Sequence, residues 1–342
     1  MFGKHYHNVA RVIGQNKLPA VTDLGLSQKL YTINDQIPNT NIGITTLPVD
    51  DAFVANTKDI TLIIPLKVDS KDRLRNINTA LAFSLKFYGF KIIIKEVDST
   101  RKYNSPLLND PRVTYIFEQS DSKSFHRTKI LNDMLLMVDT EFVANYDCDI
   151  ILPIQTVREV LYLFQQGYDM VYPYRRLTLL PCVPNNSARL DTIVRSLDSD
   201  YLESVSRGIL AAMKHRPVYS LDLFKKYGLD NVCTAGGVQF FRTKSYLEGY
   251  AENETFVDWG PEDQERLIRF HLLGYKIAWM PSGSISGGAI HMNHAPTVAH
   301  STSNEMNKHN HKLLAHTSTQ IKTKEDMEAY MKTLDYVKRL GV

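Results

Sequence analysis

The sequence predicts an α/β fold built on a mostly parallel sheet with helices on both sides. Three observations predict it. Short β-branched runs such as Ile60-Thr61-Leu62-Ile63-Ile64-Pro65 read as strands buried on both faces. Helical periodicities fall between those runs, and the order strand, helix, strand, strand, helix, strand is that of parallel strands joined by crossovers. An acidic pair, Asp147-Cys148-Asp149, directly follows one strand, at the end where open α/β sheets bind ligands.

Taken in order, residues 1–57 have no clear periodicity and are expected to form an extension packed on the outside of the domain. The first strand, 60–65, is ended by proline. Residues 73–87 carry Leu74, Ile77, Leu81 and Leu85 at helical spacing, with Tyr88 continuing the row. Residues 90–97 and 113–117 are the second and third strands. Residues 123–138 read as a helix with Ile130, Met134 and Met137 on one face, and Phe142-Val143-Ala144-Asn145 leads into the aspartate pair. The alternation does not need residues 178–217; 188–214 look helical, and such insertions commonly build a second substrate's site. Strands are then expected at 238–241, 276–280 and 284–290, and helices at 262–273 and 324–339. This gives a catalytic domain over 58–300 and a helical tail over 301–342.

Composition narrows the partners. Forty basic residues against thirty-seven acidic leave +3, scattered along the chain, so a nucleic acid is not expected. The three cysteines, Cys148, Cys182 and Cys233, are odd in number and far apart, which fits a reducing compartment. Neither an apolar leader nor a run of the roughly 18–20 apolar residues of a membrane span is seen, so the sequence reads as soluble and cytoplasmic.

Two motifs carry chemistry. In Asp147-Cys148-Asp149 the carboxylates project from an apolar setting, where acidic groups need a cation partner. A metal held there can bind a diphosphate. In Trp259-Gly260-Pro261-Glu262-Asp263 two carboxylates open a helix, where one can take a proton from an incoming hydroxyl. Together they suggest a sugar transferase. His291 and His294 are candidate metal ligands; in a strand they would face opposite ways, so joint ligation needs a bend, which Gly287-Gly288 allows. A carboxylate with imidazoles suits Mn²⁺, whereas Mg²⁺ prefers oxygen. Plainer readings stay open: a turn at a strand end for the aspartates, loop positions for the histidines, a helix-dipole complement for Glu262 and Asp263. A second Asp-x-Asp, Asp198 and Asp200, reads as a solvated face or a helix cap.

The segments Phe125-His126-Arg127-Thr128-Lys129-Ile130-Leu131-Asn132, Asp147 to Pro153, Gly236-Gly237-Val238 and Trp259 to Glu265 stand in the order seen in GT-A glycosyltransferases. The chain most resembles the inverting β1,4-galactosyltransferase and chondroitin-polymerase type, over residues 60–153 and 232–295. The resemblance implies a mixed, mostly parallel sheet and a UDP-sugar donor, with Mn²⁺ as cofactor, Mg²⁺ as the alternative, and a glycan or glycoconjugate acceptor. It implies that Asp149, His291 and His294 hold the metal, that Asp147 lies near the ribose or diphosphate, and that Arg127 binds the diphosphate. Pro65 and Lys67 would line the uridine pocket, Asp98 would contact the base, and Gly237 and Trp259 would shape the donor site. Glu262 would hold the acceptor hydroxyl and Asp263 would be the general base. Two departures stand out: Gly260-Pro261 replaces a pair of glycines after the tryptophan, and the link from the aspartates to Gly236 is long. A retaining transferase of the polypeptide GalNAc-transferase type has an amide where this chain has Asp263. The remaining alternatives are an inactive sugar-nucleotide or glycan-binding module and a metal-dependent hydrolase.

Overall fold

Strand β1 (Ile60–Leu66) is buried along its whole length, so the sheet is covered on both sides there. Each such isoleucine or leucine contributes about 1.5–3 kcal/mol relative to exposure. Pro65 is tolerated in this central strand because the ladder to the neighbour on one side ends at Ile63. The computed structural model describes residues 51–173, 182–183, 227, 236–279, 289–292, 294 and 305–342. The expected insertion helix at 188–214, the second Asp-x-Asp and the Gly287-Gly288 bend lie outside the described residues.

A short helix, α1 (Asp51–Asn56), precedes β1 and buries Phe53 edge-on against Tyr88. Helix α2 (Lys71–Phe87) follows β1 and starts two residues before the expected position, because the Ser70 hydroxyl caps it by accepting from Arg73 N. Strands β2 (Lys91–Asp98) and β3 (Val113–Gln119) come next, then α3 (Arg127–Leu135) and β4 (Phe142–Tyr146). Helix α3 is shorter than its periodicity suggested. It closes with Met137 N turned back to Met134 O, which swings Met137 off the buried row and leaves it 49% exposed instead of packed beside Ile130 and Met134.

After the aspartates come β5 (Ile150–Ile151), α4 (Ile154–Gln165), β6 (Met170–Tyr172) and β7 (Cys182–Val183). The second half contains β8 (Val238–Arg242), α5 (Thr243–Glu248), α6 (Glu262–Leu272), β9 (Ile277–Trp279) and β10 (Ile290–Met292). The tail is helical: α7 (Glu305–Gln320), α8 (Lys324–Lys332) and α9 (Asp335–Leu340). The single helix expected over 324–339 is therefore two. It breaks at Leu334, which is extended, after Thr333 turns its hydroxyl to Tyr330 O.

The main sheet has seven strands in the order β3-β2-β1-β4-β8-β6-β9. All its pairings are parallel except the two made by β8, so the sheet is mixed and mostly parallel, as expected. Pro65, Lys67, Asp98 and Asp147 gather at the carboxyl ends of β1, β2 and β4. A small second sheet, β5-β10-β7, carries His291 opposite Ile150. Among the described residues no helix is long and apolar enough to cross a membrane.

Candidate active site

The aspartate turn is held from two sides by backbone. Asp147 N donates to Gly237 O at 2.7 Å, where β8 runs back alongside β4, and Met292 N donates to Asp149 O at 2.8 Å. Gly237 has φ +103°, a conformation that favours glycine. The β5–β10 pairing thus brings His291 and His294 to Asp149, though 141 residues separate Ile150 from His291.

Asp149 is 1% exposed. His291 Nε2 lies 3.4 Å from its Oδ1, and His294 Nε2 3.3 Å from its Oδ2. The three ligand atoms all fall within 4.8 Å of one another. Asp149 Oδ1 is buried with no hydrogen-bond partner among the described residues, a cost that a bound cation removes. One carboxylate oxygen and two imidazole nitrogens suit Mn²⁺ or a similar borderline cation, so these residues fit a divalent metal. Arg73, which belongs to none of the sequence motifs, donates from Nη1 to Asp149 Oδ2 at 2.8 Å and reaches Cys148 Sγ at 3.6 Å. Burial and the neighbouring Asp149 push the Cys148 thiol well above its ordinary range.

Arg127 opens α3 and joins the aspartates to the second carboxylate pair. Its Nη2 donates to Asp147 Oδ1 at 2.8 Å, and its Nη1 lies 4.0 Å from Glu262 Oε1 with no hydrogen-bond partner among the described residues. Burial works against its charge, but Asp147, Asp263 and Glu262 hold it above the usual arginine range. Glu262 and Asp263 are the first two residues of α6, and both are buried. Burial and the adjacent Asp263 push Glu262 up to about 8, and burial raises Asp263 against the pull of Arg266 and Arg127. Two carboxyls this close divide the work: one retains its proton more readily while the other carries the charge. Glu262 Oε2 is also buried without a partner among the described residues.

Trp259 is 42% exposed, just before α6. Its carbonyl accepts from Asn307 Nδ2 at 3.1 Å and Asn310 Nδ2 at 3.4 Å, both on α7, and Asn310 also holds Val257 O at 2.7 Å. Gly260 makes this possible: a Cβ there would lie 2.5 Å from Asn310 Nδ2. Asp98 is more occupied than a base contact requires. Its Oδ1 accepts from Ser99 N at 2.8 Å and its Oδ2 from Lys102 Nζ at 2.7 Å. Burial raises its pKa, but these bonds and the nearby Lys67 leave it below the usual carboxylate range. Asp149, His291 and His294 form one group; Asp147, Arg127, Glu262 and Asp263 form a second; Lys67 and Asp98 form a third.

No family model and no curated protein matches the chain. Solved structures to which it is similar include a mannosyltransferase from Pyrobaculum calidifontis in complex with GDP-Man and Mn²⁺, at 14% identity and TM-score 0.45, covering 80% of this chain and 69% of that one. The catalytic domain of Drosophila β1,4-galactosyltransferase 7 in complex with xylobiose matches at 12% identity and TM-score 0.43, covering 78% and 82%. S. aureus TarS 1–349 in complex with UDP-GlcNAc matches at 12% identity and TM-score 0.42, covering 71% of this chain and 60% of that one. Identities this low say nothing of substrate or reaction.

Proposed function

We propose that the chain is a metal-dependent, inverting glycosyltransferase with a GT-A fold, which moves a hexose or N-acetylhexosamine from a UDP-sugar to a hydroxyl of a glycan or glycoconjugate. One observation carries this reading. A carboxylate–imidazole triad (Asp149, His291, His294) shares the aspartate turn with Asp147, and Arg127 joins Asp147 to a buried carboxylate pair (Glu262, Asp263), its Nη1 without a hydrogen-bond partner among the described residues.

The roles follow from the chemistry. Asp149, His291 and His294 would hold a divalent cation, which would supply positive charge at the diphosphate. Arg127 adds a second cation there and stabilises charge as the leaving group departs. Glu262 orients the acceptor hydroxyl. The acceptor hydroxyl oxygen bonds to the anomeric carbon from the side opposite the diphosphate, the bond from that carbon to the diphosphate oxygen breaks, and the hydroxyl proton passes to Asp263. Lys67 and Pro65 border the nucleoside, Asp98 reaches the base by exchanging one of its local bonds, and Gly237 and Trp259 shape the donor site.

The test is UDP release across a panel of UDP-sugars with Mn²⁺, Mg²⁺ or EDTA, on the wild type and on Asp263→Asn. Release confined to one or two donors, dependent on metal and lost in the variant, supports the reading. Metal-independent release, or full activity in Asp263→Asn, rejects it. NMR of the product anomer separates inversion from retention.

A further inference from the structure

Arg266 lies one helical turn after Asp263 on α6 and is 0% exposed. Its Nη1 donates to Glu252 Oε1 at 2.6 Å and Oε2 at 2.8 Å, and its Nη2 donates to Gln239 Oε1 at 3.1 Å and to Asp263 Oδ1. Glu252 is itself anchored: its Oε1 accepts from Tyr246 OH at 2.5 Å and Asn145 Nδ2 at 2.9 Å, and its N donates to Asn132 Oδ1 at 2.9 Å. The guanidinium therefore has one orientation, set by residues of β4, α3, α5 and β8. Replacing a buried arginine–glutamate pair with apolar residues of the same volume is often neutral or stabilising. Stability alone does not explain the pair.

The opposite oxygen of Asp263 meets a different surface. A Cβ at position 236 would lie 2.9 Å from Asp263 Oδ2, so this oxygen rests in space that only a glycine leaves open. We propose that Arg266 is a positioning residue for the base: it fixes Asp263 Oδ1 through the Glu252 anchor and makes Oδ2 the atom that receives the acceptor's proton. The inference rests on Asp263 being the base and adds which oxygen acts and what aims it. The charged groups around Asp263 are Glu262 on its own helix, Arg127 on α3, Glu252 before α6 and Arg266; Tyr246 on α5 and Tyr172 on β6 also face Arg266.

The experiment compares Arg266→Lys, Arg266→Met and the double variant Glu252→Gln/Arg266→Met with the wild type and Asp263→Asn. The double variant removes both buried charges together and keeps the comparison open if Arg266→Met alone fails to fold. The readouts are kcat, the KM of each substrate, the pH profile, and calorimetric binding of Mn²⁺ with UDP. In the double variant kcat is expected to fall by on the order of 10²-fold. Its acid limb moves to higher pH, because losing the charge and hydrogen bond of Arg266, which hold Asp263 down, outweighs losing Glu252, which pushes it up, while Arg127 stays in place and Mn²⁺–UDP binding holds. Arg266→Lys is expected to recover part of the rate and return the acid limb. A folded double variant with wild-type kcat and pH profile overturns the inference, as does loss of Mn²⁺–UDP binding in step with kcat. If Asp263→Asn keeps its rate, the base assignment falls and this inference with it; if Asp263→Asn is dead and the double variant is not, this inference fails alone.

Discussion

Arg73 Nη1 donates to Asp149 Oδ2 at 2.8 Å, which leaves Oδ1 as the carboxylate atom without a hydrogen bond among the described residues, turned toward His291. Arg73 sits in the first turn of the helix after β1, so the start of the sheet orients a candidate ligand that the chain reaches only 76 residues later. The Ser70 cap fixes that first turn, and Asp69 and Asp149 hold the guanidinium from either side.

Arg73→Gln is expected to weaken Mn²⁺ binding in the presence of UDP by on the order of 10–100-fold, the usual cost of losing an outer partner of a metal ligand. Asp149→Ala should remove binding altogether. Titration of Mn²⁺ by electron paramagnetic resonance reads both. Tighter binding in Arg73→Gln would mean that the guanidinium's charge opposes the cation more than its hydrogen bond orients the carboxylate.

Glu262 makes stability depend on pH. Its folded-state pKa, about 8, lies above the ordinary 4.5, so the folded chain binds this proton more tightly than the unfolded one. The resulting stability is fully present below 4.5 and is lost as pH rises through 8. Asp263 is raised as well and shifts stability in the same direction. Glu262→Gln, which cannot ionise, is therefore expected to lose less stability between pH 6 and pH 9 than the wild type, a range set by that raised value. Calorimetric Tm across this range checks it, at about 2–4 °C for each kcal/mol regained. Parallel Tm curves for the two proteins would show that Glu262 is already ionised at neutral pH.

Gly236→Ala is expected to reduce kcat on the order of 10²-fold by pushing Asp263 Oδ2 aside, since a displacement of about an ångström at the reacting atom carries that cost. Mn²⁺–UDP binding should persist. Equal losses in binding and in rate would place the damage in the aspartate turn instead.

Gly260→Ala drives a methyl into Asn310 and should destabilise the fold by about 1–3 kcal/mol. Asn310→Ala gives up the bond to Val257 O and is expected to cost about 1–2 kcal/mol. Because both changes act on one contact, the double variant should fall short of the sum in urea unfolding. Strict additivity would show that the two residues do not share an effect.

The architecture was legible where the sequence is most one-sided. The apolar run of β1, the periodic row from Leu74 to Leu85 and the aspartates after β4 each allow one placement only. Helix α4 and strand β6 were missed, since Ile154–Gln165 follows an apolar stretch without a capping side chain and β6 is three residues long. The His291 and His294 pairing with Asp149 could be suggested from residue type, but the strand pairing that produces it is non-local. Arg73, Glu252, Arg266 and Asn310 carried no readable signal. A charged residue in an amphipathic helix ordinarily faces water, and only the folded chain shows Arg266 pointing inward beside Leu267 and Ile268.

Asn307 and Asn310 tie helix α7 to the backbone just before α6. Anyone shortening the chain behind residue 304 to obtain crystals or fuse a reporter would be cutting the tether of the Trp259 carbonyl, at the segment proposed to shape the donor site. Such a truncate could keep the circular dichroism of an intact sheet and still be inert, and its silence would be misread as evidence that the wrong sugar had been offered.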